Sequence, residues 1–305
     1  MITKTRLFFV ASYMRDVSVV VDRFPLPGET RAGSGALESP GGKGSNQAIQ
    51  AARCGARVSI VAAVGNDDAG RAALALWSAE GIDTSHAVSC QTAMTGLALI
   101  LVNQHGENQI VIAPGANTTL DISDIDRAAA AIATADLVVA QLETPLPATV
   151  HAFRLARATG VTTLLNTAPA PDSLGDVLWS VTDIVVANEL EAATLTSLPA
   201  STDPLITGRA LLARVGVAAV ITLGDKGALL LRHDTASVHQ PAAKVAVVDT
   251  TGAGDAFVGA LAACWTRKDA RQALAIAVNA GSLACTRRGA VAGLATPAEL
   301  ERLLN

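Results

Sequence analysis

Two glycine-rich stretches of this 305-residue chain carry residue types suited to handling anions and hydroxyls. The first, Pro40-Gly41-Gly42-Lys43-Gly44-Ser45-Asn46-Gln47, runs into a helical pattern predicted over residues 48–53 and ended by Gly55. Glycines on both sides of one lysine let the backbone pass close to a ligand, and the helix N-terminus beyond them offers free N–H groups to oxygens. The spacing is not that of a Walker P-loop. The second stretch, Asp249-Thr250-Thr251-Gly252-Ala253-Gly254-Asp255-Ala256-Phe257, follows a predicted strand and opens an apolar helix predicted over 257–265. Gly252, Ala253 and Gly254 would present unsatisfied N–H groups and the positive end of a helix, a nest for a transferring phosphoryl group. Asp255 would then sit in the first turn, within reach of that anion. A carboxylate beside a phosphate is repelled unless it has work to do, and taking a proton from an attacking hydroxyl is such work. Taken singly, Lys43 could be a solvated side chain on a turn and Asp255 a helix cap, but capping does not explain the whole nonapeptide.

The elements that must position these residues follow from periodicity. From about residue 137 short aliphatic runs at 137–142, 161–165, 184–187, 217–223 and 245–248 alternate with helical patterns, the rhythm of βαβ units on a mostly parallel sheet. Just past these runs stand Glu143, Asn166, Asn188, Gly224 and Asp249, and in open α/β sheets ligands bind outside the carboxyl ends of the strands. Polar residues also end strands without any function. Two segments break the rhythm: residues 17–21 with 32–37, and 96–102 with 109–113, read as antiparallel pairs, the second a hairpin closed by 103–107. They predict a small sheet standing off the body as a lid, with Pro25, Pro27 and Pro114 at the crossings. Its apolar alternation predicts that two lids pair across a homodimer, since an isolated small sheet leaves one face wet.

Composition narrows the classes further. Half the residues are hydrophobic and only 3% aromatic, which suits helices packed closely on a sheet of branched aliphatics and argues against an all-β sandwich. With 23 Lys+Arg against 27 Asp+Glu and a net charge of -4, the chain lacks the basic footprint of a nucleic-acid binder. Cys54, Cys90, Cys264 and Cys285 are too scattered for a zinc or redox pair and read as buried apolar residues in a reducing compartment. The opening resembles a signal peptide, Lys4 and Arg6 preceding an apolar run over 7–11, but Arg15 and Asp16 cut that run short. The expectation is a first buried strand, no membrane span and a cytoplasmic location. The five histidines show no ligand spacing, and Trp77, Trp179 and Trp265 read as packing residues at helix ends.

On these motifs the chain resembles the ribokinase-like (pfkB) family of carbohydrate kinases. Gly41-Gly42-Lys43-Gly44 with Asn46, and the 249–255 stretch, are similar to the two family signatures. In the expected order also come Phe24-Pro25-Leu26-Pro27-Gly28-Glu29-Thr30, Gln141-Leu142-Glu143, Asn166-Thr167-Ala168-Pro169-Ala170, Asn188-Glu189-Leu190-Glu191 and Thr222-Leu223-Gly224-Asp225-Lys226-Gly227. The resemblance implies one three-layer α/β/α domain over 1–305 with a mostly parallel central sheet and a β lid from about 16–40 and 95–114. It implies an ATP-dependent kinase that phosphorylates the primary 5-hydroxyl of D-ribose to ribose 5-phosphate. Asp255 would be the general base and Gly252, Ala253 and Gly254 the anion hole. Asp16, Gly42, Lys43, Asn46 and Glu143 would hold sugar hydroxyls, with Met14 beside them. Asn188, Thr222, Gly224, Gly227, Gly254 and Asn279 would line the nucleotide site, and Glu191 would help place Mg2+ through water. Oxygens of Asp249, Thr251, Ala284, Arg287 and Gly289 resemble a monovalent-cation site, K+ being the expected ion, although the same residues also fit an ordinary turn after a helix.

One position departs from the family pattern. Many members carry asparagine where Met14 stands, followed here by Arg15. A thioether cannot replace the donors and acceptor of an amide. The change points toward relaxed recognition, with deoxyribose or another furanose accepted, although other members of the branch also carry methionine there. A ketohexose or a nucleoside is the in-class alternative. A catalytically dead sugar sensor would be expected to lose Asp255 or its glycines, and a dinucleotide-binding oxidoreductase would need a glycine fingerprint that residues 10–16 lack.

Overall fold

The computed structural model describes residues 5–265 and 269–304. The reading of the chain's opening rested partly on Lys4, which lies outside them. An eight-stranded sheet runs in spatial order Val238–Gln240, Ala228–Arg232, Ala218–Thr222, Ile184–Asn188, Thr162–Asn166, Leu137–Ala140, Arg6–Val10 and Arg57–Val61. Its last six strands are parallel, and the first two are added antiparallel at one edge. Within Arg6–Val10 the side chains alternate between the two faces: Leu7 and Phe9 join one apolar cluster, Phe8 and Val10 the other. The helices Lys43–Arg53, Asp68–Ala79, Ala253–Trp265 and Ala270–Ala284 cover the first cluster, and Leu146–Ala158 with its neighbours covers the second. The result is the expected three-layer α/β/α arrangement, in which burial of both sheet faces accounts for strands that read as continuous aliphatic runs.

A separate four-stranded sheet has the order Ala36–Gly41, Met14–Val20, Gly96–Val102, Asn108–Ala113. The hairpin over 96–113 is as predicted. The partner of Met14–Val20 begins later than expected, at Ala36, and passes through Pro40 and Gly41 straight into the first signature. Pro25 and Pro27 therefore lie in the loop joining two strands of the small sheet, not at a crossing to the body.

Two more expectations are corrected. Residues 245–248 form no strand: Val247 and Val248 are largely exposed, and the N–H groups of Val248 and Asp249 donate to Cys285 O at the end of a helix. The edge of the sheet is taken instead by Ala228–Arg232 and Val238–Gln240, joined to Thr222 through the tight turn at Gly227. The first-signature helix starts at Lys43, five residues earlier than its apolar pattern indicates, because Gly42, at φ 90°, serves as its N-cap. None of the four cysteines is in a disulfide, and Cys285 is half-buried while the others are buried.

Candidate active site

The early helix start decides the chemistry of one wall. Lys43, Asn46 and Gln47 stand at i, i+3 and i+4, so they share a face of Lys43–Arg53. That face meets Asp255, which the helix Ala253–Trp265 holds buried in its first turn. Asn46 Nδ2 donates to Asp255 Oδ2 at 2.9 Å, and Gln47 Nε2 donates to Oδ1 at 3.0 Å. Burial pushes the Asp255 carboxyl up, while the Lys43 ammonium and the two amides oppose that rise. Lys43 shows the opposite balance. Burial works to lower it, but Asp255, Glu143, Glu191 and Asp16 outweigh burial and raise it, so its ammonium stays charged.

Glu143 follows the strand Leu137–Ala140 at its carboxyl end. Its Oε2 accepts from the Lys43 N–H at 2.9 Å and from Ser12 Oγ at 2.6 Å, and Ser12 Oγ in turn accepts from the Gly44 N–H. Asp16 comes from the small sheet. Its carboxylate lies over Gly41, where any Cβ would overlap it, which explains why the signature needs glycine there. Gly42 likewise lies against the backbone of Tyr13. Burial, with Glu143 and Asp255 nearby, raises Asp16 to about 6. Three carboxylates and one ammonium thus converge where the small sheet faces the carboxyl ends of the main strands. Asn46 Oδ1 is buried there without a hydrogen-bond partner in the protein. A buried acceptor of this kind fits a ligand that brings hydroxyl donors.

Met14 is buried, with its sulfur packed against Gly96 and 3.7 Å from Asn117 Nδ2. Asn117 grips the neighbouring backbone from both sides, Oδ1 accepting from Tyr13 N–H and Nδ2 donating to Tyr13 O. Arg15 points the other way, to Glu38 on the exposed side of the small sheet.

On the far side of Asp255 lies a cavity of about 540 Å³ lined by Thr222, Gly224, Gly227, Ala253 and Gly254, together with Val245, Val247 and Lys244. The first intrahelical bond of Ala253–Trp265 runs from Ala256 N–H to Gly252 O at 2.8 Å, so the N–H groups of Gly254 and Asp255 precede the ladder. A Cβ at Gly254 would meet nothing, which places that backbone on open space. Asn188 ends the strand paired with Thr222, yet its side chain caps the next helix: Asn188 Oδ1 accepts from Glu191 N–H, and Glu191 Oε2 accepts from Asn188 N–H and Thr167 Oγ1. Neither Asn188 nor Asn279 is among the residues lining the cavity.

Asp249, Thr251 and Gly289 do come together. Asp249 Oδ1 accepts from the N–H and hydroxyl of Thr251, and Oδ2 accepts from Gly289 N–H at 2.8 Å. Although burial opposes it, these bonds hold the Asp249 carboxyl below its ordinary value. Arg287 is turned to Glu299, and the Ala284 carbonyl lies against Gly293.

Sequence reasoning gave no role to Gln47 or Ser12. Gln47 had a signal: once Gly42 is recognised as the N-cap, its i+4 relation to Lys43 puts it on the reactive face. Ser12 had none, because its contact with Glu143 is made across 131 residues.

A hydroxyl-binding pocket and a helix N-terminus with open N–H groups, separated by one buried carboxylate, define an α/β phosphotransferase acting on an alcohol. The chain matches the pfkB family of carbohydrate kinases over residues 4–297 and belongs to it. It is similar to the ribokinase of Mus musculus, 42% identical over 257 residues that cover 83% of this chain and 79% of that one. It is also 35% identical to the deoxyribokinase of Salmonella typhi, covering 92% of each chain. Among solved structures it is similar to Arabidopsis thaliana ribokinase complexed with ribose and ATP, at a TM-score of 0.90, 27% identity and 99% coverage of both chains.

Proposed function

We propose that this kinase transfers the γ-phosphoryl group of ATP to the primary 5-hydroxyl of D-ribose, giving ribose 5-phosphate. The observation that carries this reading is Asp255, buried between the polar wall of Lys43–Arg53 and the open N–H groups at Gly254. Ribose would lie on the polar wall, its hydroxyls held by Asp16, Gly42, Lys43, Asn46 and Glu143. The Asp255 carboxylate accepts the proton of the attacking hydroxyl as the new oxygen–phosphorus bond forms and the bond from phosphorus to the leaving ADP oxygen breaks. The N–H groups of Gly254 and Asp255 would receive the charge that develops on the transferring group, in the turn formed with Gly252 and Ala253, whose Ala253 N–H instead donates to Thr250 O. Lys43, kept charged by its carboxylate neighbours, offsets their repulsion of the phosphate. The largely apolar cavity beside Thr222 and Gly227 would take the base of ATP, although Asn188 and Asn279 do not line it.

Magnesium, bound with the nucleotide, would supply charge neutralisation on the phosphates, and Glu191 would help hold it through water by the carboxylate oxygen not used in capping. The oxygens around Asp249, Thr251, Ala284, Arg287 and Gly289 suit a hard monovalent cation, for which K+ is the natural candidate. Such an ion would order the loop leading into the anion hole. The small sheet would act as a lid that excludes water from the transfer. Its Asp16 face also carries Leu37, Ile110 and Ile112, each about half exposed, and covering them by the lid of a second copy would make a homodimer. Among the described residues no helix is long and apolar enough to cross a membrane. Four scattered cysteines, three of them buried, fit a reducing, cytoplasmic setting.

A second substrate has its own support. With a thioether at position 14 already engaged by Asn117, that position holds no amide for a missing 2-hydroxyl to leave unpaired, so 2-deoxyribose should be accepted. The test is ATP consumption by the purified protein across ribose, 2-deoxyribose, ketohexoses and nucleosides. Ribose is expected to give the highest kcat/KM, with 2-deoxyribose within about tenfold. Turnover of a nucleoside alone, or of no sugar, would overturn the reading.

A further inference from the structure

Asp255 does not stand on its own hydrogen bonds alone. The amide of Gln47, fully buried, uses both of its hydrogens: Nε2 donates to Asp255 Oδ1 at 3.0 Å and to Asn166 Oδ1 at 2.9 Å. Its oxygen is also occupied, accepting from Gln141 Nε2 at 2.7 Å. Gln141 and Asn166 lie at the carboxyl ends of neighbouring parallel strands, while Gln47 lies on one helix and Asp255 on another. Four elements are therefore joined through a single side chain.

The direction of this chain is not arbitrary. An ionised carboxylate can only accept, so the Gln47 amide must turn its nitrogen to Asp255. Its oxygen must then face Gln141, and Gln141 must offer its nitrogen. That leaves Gln141 Oε1 buried without a hydrogen-bond partner, which is what the structure shows. Two groups set that orientation here: the Asp255 carboxylate, and Val186 O, which takes Asn166 Nδ2 and so leaves Asn166 Oδ1 to accept from Gln47.

We propose that Gln47 is a positioning residue for the general base: it fixes the rotation of the Asp255 carboxylate against the strand ends and holds it in its ionised form. The proposal rests on the reading of Asp255 as the base. With Asn46 on Oδ2 and Gln47 on Oδ1, the carboxylate plane is set from two sides, so a hydroxyl entering the pocket meets a lone pair of fixed direction. The charged groups acting on Asp255 are Lys43 from the same helix as Gln47, Glu143 from the strand end and Asp16 from the small sheet. The helix Ala270–Ala284 packs on its other side through Gly281, and the one charged residue of that helix, Arg271, is exposed ten residues away. Of these neighbours, Lys43, Asn46 and Gln47 favour the carboxylate over the acid.

The experiment is the pH dependence of kcat/KM for ribose in Gln47→Leu and Gln47→Glu, with Asp255→Asn alongside. Loss of the donor in Gln47→Leu should move the acidic limb upward by about one pH unit and lower plateau kcat about tenfold, with both KM values nearly unchanged. Gln47→Glu keeps the shape but sets a second carboxyl against the first, so its limb should move further than that of Gln47→Leu. It also carries the test should the leucine variant not fold. An acidic limb that stays at its wild-type pH or moves downward in both variants would overturn the positioning role even if kcat falls, since losing a donor to the carboxylate raises its titration whereas water admitted by lost packing lowers it. That outcome with an inactive Asp255→Asn leaves the base assignment standing, whereas an active Asp255→Asn removes the base assignment itself.

Discussion

The two sides of the cleft are built on different principles. On the proposed sugar side, polar groups already bind one another: Ser12 and Glu143 with the Lys43 backbone N–H form one group, and the side chains of Asn46, Gln47 and Asp255 another. On the proposed nucleotide side, the cavity is lined mainly by glycine, alanine, valine and Phe257, with Thr222, Asp225 and Lys244 among them, and the expected side chains of Asn188 and Glu191 are spent on capping one helix turn. A site that must distinguish hydroxyls is held rigid by hydrogen bonds before its ligand arrives. A site that must accept a flat base and a phosphate chain needs an apolar wall and open N–H groups. Substitutions on the first side should therefore alter sugar terms and pH behaviour, and perturbations of the second should alter turnover with little dependence on the sugar.

The largest expected effect tests the boundary between the two sides. Asp255→Asn keeps the size and most of the hydrogen-bonding capacity but cannot take a proton, so kcat should fall roughly 10²- to 10⁴-fold with sugar and ATP affinities little changed. Steady-state kinetics that retain more than about a tenth of wild-type kcat would reduce Asp255 to a helix cap. Next is Lys43→Ala, which removes the one cation among three carboxylates. Sugar KM should rise by about tenfold or more while ATP KM changes several-fold less, and equal changes would erase the distinction between the sides.

A smaller effect is expected from the loop beside the nucleotide cavity. Replacing potassium by a bulky organic cation at constant ionic strength should lower kcat several-fold for every sugar accepted, because the Asp249 loop leads into the anion hole and not into the sugar wall. Unchanged rates would remove that cation site.

How much of this was legible beforehand also divides along the cleft. The polar wall of Lys43–Arg53 was readable because three glycines around a lysine announce a close backbone turn into a helix, and Asp255 was placed in a first turn where it is found. What escaped notice was Gln47, masked by a helix start that the apolar pattern put at residue 48 and that the positive φ of Gly42 sets at Lys43. On the nucleotide side the valine-rich run at 245–248 read as a strand. It is apolar because Val245 and Val247 line a cavity, and periodicity cannot tell a strand from an apolar cavity wall. The cross-chain contacts of Ser12 with Glu143 and of Asn117 with Tyr13 carry no local signal at all.

The smallest effect concerns stability. Burial and its carboxylate neighbours raise Asp16 to about 6, above its value of about 4 in an unfolded chain. The folded state therefore binds this proton more tightly, and the stability it contributes is lost as pH rises through that window. Asp16→Asn removes the titration, so its Tm should exceed the wild-type value at pH 8 and the gain should shrink toward about pH 4, while sugar KM rises. A Tm difference that is the same at both pH values would show that Asp16 carries no such strain.

The central claim is the transfer of phosphate to one hydroxyl by this arrangement of base and anion hole. Its most direct test is phosphorus and proton NMR of the product formed by the purified protein from ATP, Mg2+ and D-ribose. The account predicts a single phosphomonoester coupled to the C5 methylene protons and one equivalent of ADP. Phosphate attached at C1, or ATP hydrolysed to free phosphate with no sugar ester, would contradict it.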